Sequence, residues 1–70
     1  MVLTIDMDRE VDGRWIADIA ALPGVTAYGG TREEAIARAK AIALETLVAM
    51  QEEGTPIDDA ITFALEEDAA

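Results

Sequence analysis

Asp6, Asp8 and Asp18 are the residues of this 70-residue chain whose type and spacing most readily suggest chemistry. Carboxylates that converge on two divalent cations can drive phosphodiester hydrolysis, because the metals stabilise both the attacking and the leaving oxygen. Asp6 and Asp8 stand two apart and would share one face of an extended strand, and Asp18 falls on the return strand of a predicted hairpin. This keeps a metal-dependent nucleic-acid enzyme as one alternative. The favoured reading is plainer: the three acids form the wet face of an amphipathic hairpin, with Arg9 and Arg14 nearby as ion-pair partners. With 15 acidic residues in the chain, carboxylates cluster by chance, and no basic constellation accompanies these three. Histidine, cysteine and serine are all absent, so ordinary acid–base and nucleophilic catalysis have no candidates. Gly29-Gly30 lacks the following Lys-Ser/Thr of a phosphate loop and reads as a turn. No catalytic, cofactor-binding or metal-binding residue is expected.

The elements that must position these residues can be read from periodicity. Residues 2–10 alternate Leu3, Ile5 and Met7 with Thr4, Asp6 and Asp8, which predicts a strand with one dry face. Asp12-Gly13 predicts a tight hairpin, and residues 14–19 the return strand, with Trp15, Ala17 and Ile19 on one side and Ile16 and Asp18 on the other. Leu22-Pro23-Gly24 breaks it. Val25 to Tyr28 forms a third short strand, and Gly29-Gly30 ends it. Trp15 and Tyr28 are expected to pack in the sheet core or an interface.

Thr31-Arg32-Glu33-Glu34 is a capping box, in which Thr31 accepts the Glu34 N–H and Glu34 reaches back to the Thr31 N–H. The helix should run to about Glu53, with Gly54 as its cap and Pro56 beyond. Ile36, Ala39, Ala43, Leu47 and Met50 form the expected core stripe. Ile42 and Ala49, and separately Leu44 and Val48, lie on its flanks, more apolar surface than one face needs. These four are the candidate oligomer interface. Ala60 to Leu65 reads as a fourth strand, placed most simply beside the first. The expected fold is α+β, a two-layer βββαβ domain over residues 1–65: an antiparallel three-stranded meander, one helix and a C-terminal strand. Residues 66–70 are expected to be a frayed acidic tail.

Composition narrows the function. Hydrophobic residues make up 51% of the chain, but alanine supplies a large share of them, so core volume is limited and self-association is expected to add buried area. The net charge of −10 repels a phosphate backbone and attracts basic partners. No apolar run is long enough to span a bilayer and no leader is evident, so a cytoplasmic protein is expected.

The stretch Asp12-Gly13-Arg14-Trp15-Ile16-Ala17-Asp18-Ile19 resembles the opening hairpin of HicB-like antitoxins. Leu22-Pro23-Gly24-Val25-Thr26-Ala27-Tyr28-Gly29-Gly30-Thr31 is similar to the family's loop-strand-loop, Arg32-Glu33-Glu34-Ala35-Ile36 to the start of its single helix, and Pro56-Ile57 with a short strand to its ending. Each piece is weak alone; together, in this order and spacing, they span most of residues 2–65. The resemblance implies a partial ribonuclease-H-like fold and the antitoxin half of a HicA–HicB pair. It implies a partner that is a small basic HicA-type mRNA-cleaving toxin, whose RNA-facing surface or catalytic histidine is occluded, and a homo-oligomer, dimer or tetramer. Asp18, Glu66, Glu67 and Asp68 are the candidate toxin-binding residues. Many relatives add a DNA-binding segment after this domain. Here the last five residues carry three acids and no base, so neither operator binding nor any direct nucleic-acid contact is expected. A solitary oligomeric HicB-like protein without a toxin is the alternative.

Overall fold

In a computed structural model of the chain, which describes residues 1–22, 24–57 and 60–67, four strands and one helix follow in the order β1 (Val2–Arg9), β2 (Trp15–Asp18), β3 (Thr26–Gly29), α1 (Arg32–Glu52) and β4 (Thr62–Glu67). The strands form one mixed sheet in the order β3-β2-β1-β4. The meander β1-β2-β3 is antiparallel, and β4 returns after the helix to pair parallel to β1. The expected α+β fold, with one helix and the fourth strand beside the first, is the observed one.

Alternation on β1 sets the two layers. Leu3, Ile5 and Met7 are buried between exposed Val2, Thr4, Asp6 and Asp8. Cross-strand register carries the dry side to Ala17 on β2 and Ala27 on β3. The helix covers this side with Ala35, Ala39, Ala43 and Leu47, every fourth residue, all buried. Ile36 and Met50, expected in the stripe, are only half-buried at its margins, and Ala35 takes the place that Ile36 was expected to hold. Small residues at the contact let helix and sheet approach closely. Gly29 shows how closely: a Cβ built there would stand 2.5 Å from the backbone nitrogen of Ala35. The helix accordingly lies nearest β3 and β2, and at the other side of the sheet Leu65 stays about half exposed.

The turns differ in detail from expectation. The β1–β2 connection is not a two-residue hairpin. Glu10 N–H donates to Arg14 O, Gly13 N–H donates to Glu10 O, and Gly13 alone takes positive φ, the pattern of a three-residue loop closed by a glycine bulge. At the helix start, Thr31 Oγ1 accepts from Glu34 N at 3.1 Å as expected, but the Glu34 carboxylate reaches past Thr31 to the Gly30 N–H at 3.4 Å. At the other end, Gly54 N–H donates to Gln51 O and Thr55 N–H to Met50 O, with Gly54 at φ 95°. That paired closure satisfies the last carbonyls and ends the helix one residue before Glu53. Pro23, expected to break the second strand, lies outside the described residues. Its neighbours form the turn: Val25 N–H donates to Leu22 O, with Gly24 at positive φ.

β4 begins and ends two residues later than the sequence suggests. It stays in register with β1 through Met7↔Glu67, so Glu66 and Glu67 belong to the sheet rather than to a frayed tail. An edge strand tolerates a charge such as that of Glu66, which discourages a further strand from adding there. Asp68, Ala69 and Ala70 lie outside the described residues.

Candidate functional site: the open face of the sheet

One helix covers one face of the sheet, and the register fixes what the other face presents. Thr26 lies opposite Asp18, Asp18 opposite Asp6, and Asp6 opposite Glu66. Because directly paired residues project to the same side, these four form a single row running across all four strands. The next row begins with Tyr28 opposite Ile16, and Ile16 opposite Asp8. Four carboxylates therefore share the uncovered face with Tyr28, Ile16 and Thr26, and the Thr4–Ala64 and Val2–Thr62 pairs continue the same face.

Local contacts hold parts of this face in place. Thr26 Oγ1 donates to Asp18 Oδ1 at 2.6 Å, orienting that carboxylate across the β2–β3 pair. Asp8 Oδ1 accepts from the backbone N–H of Arg9 at 2.7 Å. Tyr28 is exposed, with the guanidinium of Arg14 5.3 Å from its ring centroid. An expected place in the sheet core is corrected: the register puts it opposite Ile16, on the side away from the helix. Trp15 does pack on the core side, half-buried with Arg9 lying 5.3 Å from its ring. Arg9 and Arg14, the expected partners of the three aspartates, are thus drawn to aromatic rings, and Arg14 also pairs with Asp12 at 2.9 Å. Among the described residues, no ion pair neutralises the Asp18–Asp6–Glu66 row.

Asp6, Asp8 and Asp18 do share one face, as predicted, but they are spread over two rows. Among the described residues, no group of three or more acidic side chains converges closely enough to hold a metal ion. The arrangement is a broad anionic strip rather than a chelating pocket. Of the four toxin-binding candidates, Asp18 and Glu66 are brought into the same row, joined by Asp6, which sequence reasoning had assigned to the metal alternative. Glu67 pairs with Met7 on β4, and Asp68 lies outside the described residues. The signal that could have found Asp6 as part of this strip is the β1–β2 register that sets it opposite Asp18; the two-residue shift of β4, which the sequence pattern alone did not fix, is what adds Glu66.

The four oligomer-interface candidates separate. Ile42 is half-buried and packs against the core, whereas Leu44, Val48 and Ala49 are exposed. No helix among the described residues is long and apolar enough to cross a membrane.

No family model, no curated protein and no solved structure matches this chain.

Proposed function

We propose that this chain is a HicB-like antitoxin domain, non-enzymatic, which binds and neutralises a small basic HicA-type mRNA-cleaving toxin in the cytoplasm. The observation that carries the reading is the carboxylate row Asp18–Asp6–Glu66 across three adjacent strands of an uncovered sheet face, on a domain of net charge −10. A toxin that holds RNA must present a cationic surface, and an anionic strip competes for that surface by the same electrostatics. The strip lies on regular strands, so its charges are pre-positioned and lose little entropy on binding. The sequence resemblance over most of residues 2–65 supplies the identity of the partner, and the order of strands and helix is compatible with the partial ribonuclease-H-like architecture that it implies.

Co-purification with the product of the neighbouring reading frame, expected to be small and basic, tests the proposal. A complex that forms at low salt, weakens as salt rises, and is lost in Asp6→Lys/Asp18→Lys supports it. Absence of any complex at low salt overturns it and leaves the solitary HicB-like protein. Tight manganese binding that disappears in Asp6→Asn points instead to metal-dependent chemistry on the same face.

A further inference from the structure

β3 is an edge of the sheet, and its outward backbone groups are unequally occupied. The Ile19 N–H donates to Val25 O at 3.0 Å. By alternation, the backbone groups of Ala27 and Gly29 also face β2, while those of Thr26 and Tyr28 face away from the sheet. Two of these four outward groups are taken. The Thr26 N–H donates to Gly24 O at 3.2 Å. The Tyr28 C=O accepts from Arg38 Nη1 at 2.9 Å, and Glu34 Oε1, 3.0 Å from Nη2, holds that guanidinium in place. Among the described residues, nothing donates to the Thr26 C=O or accepts from the Tyr28 N–H.

The two open groups select an orientation. An antiparallel strand exchanges both of its bonds with one residue, and here it would need the occupied Thr26 N–H or the occupied Tyr28 C=O. A parallel strand instead bridges a residue. Its N–H donates to the carbonyl before that residue, and its C=O accepts from the N–H after it. The Thr26 C=O and the Tyr28 N–H are such a pair, on either side of Ala27. Two copies of one edge related by a two-fold axis run antiparallel, so the same arrangement shuts out a second copy of this chain.

Side chains around the edge define what the added strand carries. An open groove of about 440 Å³ runs beside it, lined by Thr26, Ala27 and Tyr28 from β3 and by Arg38, Ala41 and Ile42 from α1. A residue paired with Ala27 projects to the helix side, against Ala41 and Ile42, which suits an aliphatic side chain. The residue before it lies beside Thr26, whose hydroxyl holds Asp18 at 2.6 Å. The residue after it lies beside Tyr28, where Arg14 and Arg38 are already paired with Asp12 and Glu34. Unneutralised charge therefore sits at the Thr26 end and is negative. We propose that the β3 edge docks an extended segment of a different protein by parallel strand addition, reading a basic residue followed by an aliphatic one. The proposal rests on the β3 edge and is independent of whether the carboxylate row meets a toxin.

Nuclear magnetic resonance titration of the labelled chain with the synthetic peptide acetyl-Thr-Lys-Ile-Thr-Thr-amide tests it. Saturable shifts should appear over Thr26–Gly29 and at Ala41 and Ile42, with the Tyr28 amide proton moving downfield as it gains an acceptor. The same peptide N-methylated at isoleucine cannot donate to the Thr26 C=O and should bind about fivefold more weakly, the loss of one hydrogen bond. Glutamate in place of the lysine should also weaken binding. A paramagnetic label at the peptide N-terminus should broaden Val25 and Thr26 more than Gly29 and Gly30, and a C-terminal label should do the reverse. In Arg38→Ala, which frees the Tyr28 carbonyl for antiparallel pairing, the two labels should lose this distinction. Absence of a saturable shift, undiminished binding of either control peptide, the opposite label pattern in the wild-type chain, or an unchanged pattern in Arg38→Ala overturns the proposal.

Discussion

On the helix-covered side of the sheet, the paired residues include Leu3 and Phe63, Ile5 and Leu65, Met7 and Ala17, and Ala17 and Ala27. On the open side they include Asp6 and Asp18, Asp6 and Glu66, and Asp18 and Thr26, beside the neutral pairs Ile16 and Tyr28 and Thr4 and Ala64. The same backbone ladder supports both sets, so the contrast belongs to side chains alone. The covered face gains stability from apolar burial. The open face sets like charges directly across from one another, which costs stability. That asymmetry, in a fold limited in core volume, is the physical basis of the binding proposal.

The comparison can be broken most severely at Ile5. Ile5 is fully buried, and Ile5→Ala should cost about 2–5 kcal/mol, read as a lowered midpoint in urea denaturation. Its neighbour Thr4 points to the open side, and Thr4→Ala should move the midpoint by no more than ~0.5 kcal/mol. Equal effects would mean that the two faces are not distinguished by burial. Leu47, the large residue at the end of the buried helix stripe, should behave like Ile5.

A smaller loss is expected at Gly29, where helix and sheet meet. The clash with backbone atoms of Glu34 and Ala35 should make Gly29→Ala destabilising by about 1–3 kcal/mol. Gly30, with nothing near its Cβ position, should tolerate the same change in thermal melts.

The open face predicts an effect of opposite sign. Removing one charge from the row, as in Asp6→Asn, should raise stability by roughly 0.2–1 kcal/mol while weakening capture of a basic partner. A variant that loses stability would show that the row is held by interactions other than those described.

The smallest effect is expected in the β1–β2 loop. The backbone N–H of Arg14 donates to Asp12, and with the nearby guanidinium it holds that exposed carboxyl below its ordinary value. A lowered folded-state value means that the contribution is present above the unfolded-state value and is lost as pH falls through the folded one. Asp12→Ala should therefore slightly lower stability at neutral pH, leave the most acidic end unaffected, and so flatten the acid limb of a stability–pH profile.

Most of the architecture was legible because local signals agreed. Period-two alternation on β1, the Thr31 cap, the Gly54 stop and the apolar run near the C-terminus each pointed to the element that forms. Register was less legible. The β4 pattern Ile61, Phe63, Leu65 correctly marks the side facing the helix, but not where pairing ends, because length is set by β1 across the ladder rather than by β4 itself. The inner helix stripe was misread by one position at Ile36. Alanine carries little periodic signal, and it was the close approach at Gly29 that drew Ala35 inward. Tyr28 was misjudged because aromatic residues in short strands usually face a core, whereas here the register with Ile16 turns it outward. The candidate site suffered from the same gap: its acids were visible individually, and only the cross-strand pairing assembles them.

The central claim is that the uncovered face, through Asp18, Asp6 and Glu66, is the surface that meets a basic toxin. Amide chemical-shift mapping of the labelled chain, titrated with the product of the neighbouring reading frame, expected to be small and basic, tests it most directly. The account predicts shifts concentrated on the outward-facing positions of β1, β2 and β4, diminishing as salt rises. Shifts confined to the outer surface of α1, with the sheet signals unmoved, would contradict it.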